Sequence, residues 1–223
     1  MTRADHQGGS DSAGRSATAG PRPLVIACGA LASELRAVLV HDAVDGAVDV
    51  HYLPANLHNR PERITPAVEE LLEANADRPT FVAYADCGTG GHLDAMVARH
   101  PGVQRLPGAH CYEVFAGEQL FAELHDAEPG TFFLTDFLAR HFDALVWQGL
   151  GLDRHPALRS AYFGNYRRVV LLTQSLDGAV VDAGRRAADR LALAFEHRHV
   201  GRHGLAPVVA AVAVAVAASR SAA

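Results

Sequence analysis

From residue 24 to residue 200, short apolar runs alternate with segments of helical spacing. Leu24–Cys28 is wholly apolar and partly β-branched, which predicts a buried strand. Ala30–Leu39 sets Leu31, Leu35 and Val38 on one face of a helix, and Val48–Leu53 reads as a second strand. Pro66–Ala74 predicts a helix with Val68, Leu71 and Leu72 inward; Thr65 is its expected N-cap, with Pro66 at the first helical position. The alternation continues with a strand over Thr80–Ala85, a helix over Gly91–Arg99, a short strand over Val103–Leu106 and a helix over Tyr112–Leu124. Gly130–Leu134 predicts a strand, Asp136–Leu150 a helix, Pro156–Phe163 a short helix and Arg168–Leu172 a strand. Ala179–Leu191 predicts a helix and Ala194–Val200 a last strand. Strands that alternate with helices imply an α/β protein, here a single three-layer domain over residues 23–205 with a mainly parallel sheet and helices on both faces.

The ends differ from this middle. Residues 1–22 are polar and Gly/Ser/Ala-rich, the composition of a disordered leader. Residues 206–223 form an Ala/Val-rich tail, whose apolar stretch 206–218 is expected to be a core strand or a docking tail. That stretch is shorter than the roughly 20 residues a membrane crossing takes, so no membrane is expected as a partner.

Composition removes several functions. The net charge is −5 with no basic block, which argues against nucleic acid as a partner. All 20 basic residues are arginine, so a lysine Schiff base, a phosphate loop with its lysine and a Ser-Lys dyad are excluded. Neither a GxSxG nor an HExxH string occurs. The three cysteines are odd in number and widely spaced, and no apolar signal-like segment precedes them; a reducing cytoplasm is the expected setting.

Each cysteine stands where a predicted strand gives way to a turn: Cys28 in Ala-Cys-Gly-Ala, Cys87 in Asp-Cys-Gly-Thr-Gly-Gly, and Cys111 in Gly-Ala-His-Cys-Tyr-Glu. The carboxyl ends of parallel strands share one rim, where ligands bind. Cys28, Cys87 and Cys111 are therefore the candidate metal ligands, because soft sulfur selects zinc, iron–sulfur or copper(I). Gly88, Thr89, Gly90 and Gly91 follow Cys87 with the conformational freedom to aim backbone N–H groups at an anion or a sulfur, which makes them the candidate cofactor-binding turn. A tight strand–helix turn would need the same glycines, but it would not need Cys87 or Asp86. Adjacent side chains on an extended segment point to opposite sides, so Cys111 is the expected ligand and His110 its neighbour. Glu113 suits a general base or a partner behind the metal shell, and equally an ordinary first-turn acid. Asp86, His110 and Glu113 are the candidate catalytic groups. His58, Asn59 and Arg60 follow the second strand and offer donors and a cation for a carboxylate or phosphate, although a solvated loop has the same look. Asn165 and Tyr166 lead into a strand and are expected to reach the rim. Thr135 or Asp136 reads as a helix cap, and His197, His199 and His203 as solvated.

Taken together, Ala27–Ala30, Leu57–Glu62, Asp86–Gly91, His110–Glu113, Glu128–Leu138, Gly151–Pro156 and Phe163–Arg168 resemble a bacterial and archaeal family known as domain of unknown function 1638. The resemblance runs from about residue 24 to residue 200 and implies no assigned activity. Members of that family look as if they accompany corrinoid-dependent methyl transfer, which implies a corrinoid protein or a methyltransferase as partner. The expectation is a metal-dependent enzyme or factor, zinc most simply, acting on a small and anionic molecule. Its rivals are a three-cysteine iron–sulfur cluster with one open iron, a non-catalytic metal or corrinoid carrier, and a plain small-molecule binding domain.

Overall fold

A computed structural model describes residues 21–221. The expected leader, residues 1–22, lies almost entirely outside the described residues. Among the described residues seven parallel strands carry the fold: β1 (Leu24–Cys28), β2 (Asp49–Leu53), β3 (Thr80–Ala83), β4 (Gln104–Arg105), β5 (Thr131–Thr135), β6 (Arg168–Thr173) and β7 (Ala194–His199). They form two sheets rather than the one expected, ordered β2-β1-β3-β4 and β5-β6-β7. The break falls between β4, only two residues long, and β5, where two helices intervene. The α/β class stands, with every strand pair parallel.

In the first sheet the chain leaves β1 for β2 on one side and returns to β3 on the other. The direction of winding reverses between β1 and β3, so their carboxyl ends frame a crevice, the place where open α/β sheets take ligands. β1 and β3 are buried along their whole length, as strands covered on both faces must be. Helices α1 (Ala32–His41), α2 (Ile64–Ala74) and α3 (His92–Val97) pack on this sheet through Leu35, Leu39, Ile64, Val68, Leu72, Leu93 and Met96. Helix α2 starts earlier than expected, so Thr65 lies inside it and does not cap it.

The second sheet is a middle layer. Along β6, Val170 and Leu172 join the core of the first sheet, while Val169 and Leu171 join a second core. That alternation is the two-residue period of a strand serving two buried faces. Helix α8 (Gly178–Leu191) covers the second face with Val180, Gly184, Ala187, Ala188 and Leu191, a single helical stripe capped by Asp177. The tail is neither a strand nor loose: residues 206–221 form helix α9 (Ala206–Ser221), which docks Val208 and Val212, with Leu205 just ahead, into the core of the first sheet. This packing, rather than helix propensity alone, holds an Ala/Val-rich helix in place. Its approach is close enough at Gly204 that a Cβ there would stand 1.7 Å from the Val114 carbonyl oxygen.

Two expected helices are broken. The one over 112–124 divides at Gly117 (φ 79°, ψ 152°) into α4 (Cys111–Ala116) and α5 (Glu118–Ala127). The one over 136–150 becomes α6 (Asp136–Arg140), then a π-helical turn over Asp143–Gln148. Helix α7 (Leu158–Phe163) follows. No helix among the described residues is long and apolar enough to cross a membrane.

Candidate functional site at the switch point

Cys28 closes β1. Its Sγ accepts a hydrogen bond from the Ala30 N–H at 3.3 Å and stands 3.7 Å from His58 Nδ1. That same Nδ1 lies 3.1 Å from the Ala55 carbonyl oxygen, which can only accept, so Nδ1 carries the proton and shares it between Ala55 and Cys28. His58 Nε2 is left as the acceptor. Burial also lowers the His58 pKa, keeping the ring neutral. The ring stacks on Tyr84 with centroids 6.1 Å apart. Tyr84 follows β3 and is fully buried, with its hydroxyl beside the Cys28 thiol. Burial raises its hydroxyl pKa, and the adjoining Cys28 thiol, then Cys87, push the same way.

Cys87 enters the site through an extension of sheet pairing. The Asp86 and Cys87 N–H groups donate to the carbonyls of Gly108 and Ala109 at 3.1 and 2.8 Å. This ties the end of the β3 segment to the loop that carries His110 and Cys111. Cys87 itself is left-handed (φ 51°), as are Gly88, Gly90 and Gly91. A non-glycine residue there is strained and persists only when its surroundings hold it. Asp86 supplies much of that hold: its carboxylate accepts from Thr89 Oγ1 at 2.6 Å, Gly91 N at 2.8 Å and Gly90 N at 3.1 Å. Partial burial opposes its charge, but the Thr89, Gly91 and Gly90 donors and the nearby Arg105 outweigh that and hold its pKa below the usual range. The N–H groups of Gly90 and Gly91 are thereby engaged, and Asp86 shapes the turn.

The three cysteines therefore come from three segments into one electrostatic neighbourhood. Burial pushes the Cys28 thiol up to about 11 and, with Cys28 as the next cause, the Cys87 thiol up to about 12. Cys111 is raised well above the usual range by burial, then by Cys87 and Cys28. In this arrangement all three are neutral thiols at physiological pH. Among the described residues, no group of three or more His, Cys, Asp or Glu side chains stands in an arrangement ready to hold a metal ion.

Adjacent side chains diverge at the third cysteine. Cys111 lines a cavity of about 290 Å³ together with His58, Asn59 and the π-helical turn, whereas His110 lines a groove of about 910 Å³ on the other side. Tyr112 lines both. Asn59 Nδ2 donates to the Leu145 carbonyl at 3.4 Å and so joins the rim of the first sheet to the π-helical turn. Asn165 and Tyr166 line the larger groove. Arg60 is exposed and lines neither space. The Glu113 carboxylate accepts from the Ala109 N–H at 2.7 Å, which occupies it in holding the Gly108–His110 loop rather than facing either space. The structure thus brings Cys28 and His58 into contact with Cys87 and Cys111 in electrostatic range, sets Asn165 and Tyr166 in the neighbouring groove, and puts Asp86 and Glu113 behind the turns that carry cysteines.

Two contributors escaped the sequence reading. Tyr84 lay inside an apolar run that reads as core; its place three residues before Cys87 was the available signal. Asp136 caps nothing through its side chain. It is buried and accepts from Gln174 N at 2.9 Å, from Ser175 N at 3.0 Å and from the Ser175 hydroxyl, locking the ends of β5 and β6. Thr135 is the N-cap of α6, accepting from Leu138 N. His197 and His199 are not free in solvent: both reach Thr173 Oγ1, at 2.9 and 3.2 Å.

The architecture defines a class: an α/β protein of two parallel sheets, with cysteines at the carboxyl ends of strands in the first. The chain belongs to the family described as protein of unknown function (DUF1638), whose model matches residues 52–208. No curated protein matches it. Among solved structures it is similar to ornithine carbamoyltransferase from Pyrococcus furiosus, with 14% identity and a TM-score of 0.27 over 81% of this chain and 55% of that one. The chain spans about half the length of that enzyme, and a likeness so slight bears on no activity.

Proposed function

We propose that this protein binds a small molecule in the crevice at the carboxyl ends of β1 and β3, and that Cys28, Cys87 and Cys111 act there as soft ligands for a metal ion, zinc in the simplest case. The supporting observation is that Cys28, Cys87 and Cys111, from separate segments at the sheet's switch point, lie within one another's electrostatic range, with the buried Tyr84 hydroxyl beside Cys28. The donor set fits zinc in kind, since three sulfurs leave a fourth position open, as catalytic sites do. In arrangement the three side chains do not stand ready to hold an ion, so binding would require them to move toward one another. Binding would release the thiol protons, which burial now retains.

When bound, such an ion supplies Lewis acidity and a low-pKa thiol or water in its open position. The chain's own residues do the positioning. His58 holds Cys28 through Nδ1–H and presents Nε2 as an acceptor toward the cavity. Asp86 fixes the turn of Cys87, and Glu113 fixes the loop before Cys111. Transfer of a methyl group to a thiolate is one reaction such a site can perform; the corrinoid link comes from the family resemblance alone, and no residue of the crevice speaks to it.

Metal analysis with thiol titration on anaerobically purified protein tests the reading. The expected result is one zinc per chain, with three thiols protected from titration, and loss of that zinc in Cys87→Ser while circular dichroism stays native. A brown protein holding iron and sulfide would replace zinc by a cluster. Three freely titrating thiols at saturating zinc refute the proposal.

A further inference from the structure

Strand β5 is an edge of the second sheet: β6 pairs with it on one side, and no strand among the described residues pairs with it on the other. Successive residues of a strand turn their backbone N–H and C=O groups to alternate sides. The Arg168 N–H donates to the Gly130 carbonyl, and Thr131 stands opposite Arg168, so the Gly130 carbonyl and the groups of Phe132 and Leu134 face β6. Thr131 and Phe133 turn their groups to the open edge, where neither backbone has a hydrogen-bond partner among the described residues. Each of these two residues is only 7% exposed, so water reaches the groups poorly. Backbone groups in such a place are almost always paired. These exceptions lie along the groove of about 910 Å³, which is lined by consecutive residues from Pro129 to Phe133.

Side chains on the two faces of β5 continue the same pattern. Phe133 belongs to the core of the first sheet and packs with Tyr112 at 5.7 Å and Phe121 at 5.1 Å. Phe132 points to the opposite face, against the second core, and meets Tyr166 at 5.7 Å. A strand added at this edge sets its own side chains alternately beside these two ring groups, so apolar residues suit it on both faces. The charges at the start of β5 are already engaged. Glu128 Oε1 accepts from the Gly130 N–H, and Arg168 bonds to Thr131 Oγ1, Glu196 and the Leu124 carbonyl. They hold the edge in pairing geometry before anything arrives, which lowers the ordering cost of binding.

We propose that the open edge of β5 binds an extended, apolar peptide segment of a partner protein by strand addition, with the peptide backbone pairing to Thr131 and Phe133. The complementarity that selects this occupant is one of partial charge: N–H and C=O groups repeated at alternate strand residues match another extended backbone. Residues of α4, α5 and α7 flank the groove through Tyr112, Phe121 and Tyr162. A second copy of the chain would bring the same flanking helices against them, whereas a lone segment brings none. The proposal is independent of the thiol site and needs no metal.

The test uses the full chain and a blocked probe peptide, acetyl-Lys-Val-Tyr-Val-Tyr-Val-Lys-amide, with amide hydrogen exchange read residue by residue by NMR. In the protein alone, the Thr131 and Phe133 amides should exchange at least about tenfold faster than those of Phe132 and Leu134, which are bonded to β6. The peptide should slow Thr131 and Phe133 by about tenfold or more and leave the other two unchanged. The same peptide N-methylated at its five central residues keeps its side chains but loses the donors of the new ladder, and should bind about tenfold or more weakly. Equal binding of the methylated peptide overturns the proposal and marks the groove as a general apolar surface. Slow exchange at Thr131 and Phe133 in the dilute protein alone shows the edge already covered and overturns it as well. Protection that grows with protein concentration, with a dimer in sedimentation, gives the edge to a second copy instead. No binding of the unmethylated peptide up to about 2 mM also overturns the proposal.

Discussion

Raising the pH from about 8 to about 10 should destabilise the metal-free protein by about 3 kcal/mol, and saturating zinc should remove the loss. Burial places Cys28 at about 11 and Cys87 at about 12, against an ordinary value of 9.0. The folded chain therefore keeps protons that the unfolded chain releases, and stability falls as pH rises wherever the unfolded state binds fewer protons. Below the unfolded pKa both states are protonated and the effect is absent. At about pH 10 the unfolded thiols are mostly ionised, so each contributes a loss of about 1.4 kcal/mol, and the pair about 3 kcal/mol. Cys111 moves in the same direction and deepens the fall. In urea, with a slope of about 2 kcal/mol/M, the unfolding midpoint read by circular dichroism should drop by more than about 1 M. The double substitution Cys28→Ala with Cys87→Ala should flatten most of that drop. Zinc reverses the sign, because thiolates that bind metal have already lost their protons in the folded state. A midpoint unchanged between the two pH values in the metal-free protein would falsify the buried-thiol description. The same fall with zinc present would rule out thiolate ligation.

Other perturbations test the supports. Asp86→Asn should destabilise by about 1–2 kcal/mol at neutral pH, because the amide replaces a charged acceptor of three donors, and should speed alkylation of Cys87 measured by peptide mass spectrometry. The wild type should lose this contribution as pH falls through the depressed Asp86 pKa, while the variant shows no such step. Leu205→Ala should cost about 2–5 kcal/mol in urea unfolding, since the side chain is fully buried where the C-terminal helix meets the first sheet. Val214→Ala, at a position 70% exposed on the same helix, should stay within about 0.5 kcal/mol of wild type.

Most of the strand positions were legible because a parallel strand buried on both faces is a short unbroken apolar run: Leu24–Cys28 and Arg168–Thr173 leave no other reading. The split into two sheets was not legible, since sequence periodicity says nothing of which strand edges meet. The break at Gly117 hid in a run whose apolar spacing continues through it. The π-helical turn at 143–148 contains neither glycine nor proline to announce it. Placing cysteines at strand ends was enough to bring Cys28, Cys87 and Cys111 to one rim. It could not separate residues that face the crevice from those that brace it. Glu113 and Asp86 look like chemistry in a string of letters, but a carboxylate four residues after an open N–H, or just before a glycine turn, is captured by the backbone first.

The left-handed backbone at Cys87 permits a direct separation of strain from chemistry. At φ 51° a Cβ crowds the following carbonyl, at a cost of about 1–2 kcal/mol that glycine escapes. Replacing Cys87 by Ala removes the sulfur and keeps the strain; replacing it by Gly removes both. Elsewhere glycine would be the less stable of the two by about 0.5–1 kcal/mol, because the unfolded chain gains freedom. Here the order should invert, with Cys87→Gly more stable than Cys87→Ala by about 1 kcal/mol in urea unfolding. The neighbouring hydrogen bonds to Gly108 and Ala109 are backbone bonds and persist in both variants, so they cancel from the comparison. Alanine matching or exceeding glycine would show that position 87 is not held left-handed in solution, and the pairing that brings Cys87 beside Cys111 would lose its support. If the inversion is observed, a residue that glycine would serve better is a cysteine at the mouth of the crevice, and the sulfur is what the strain is there to hold.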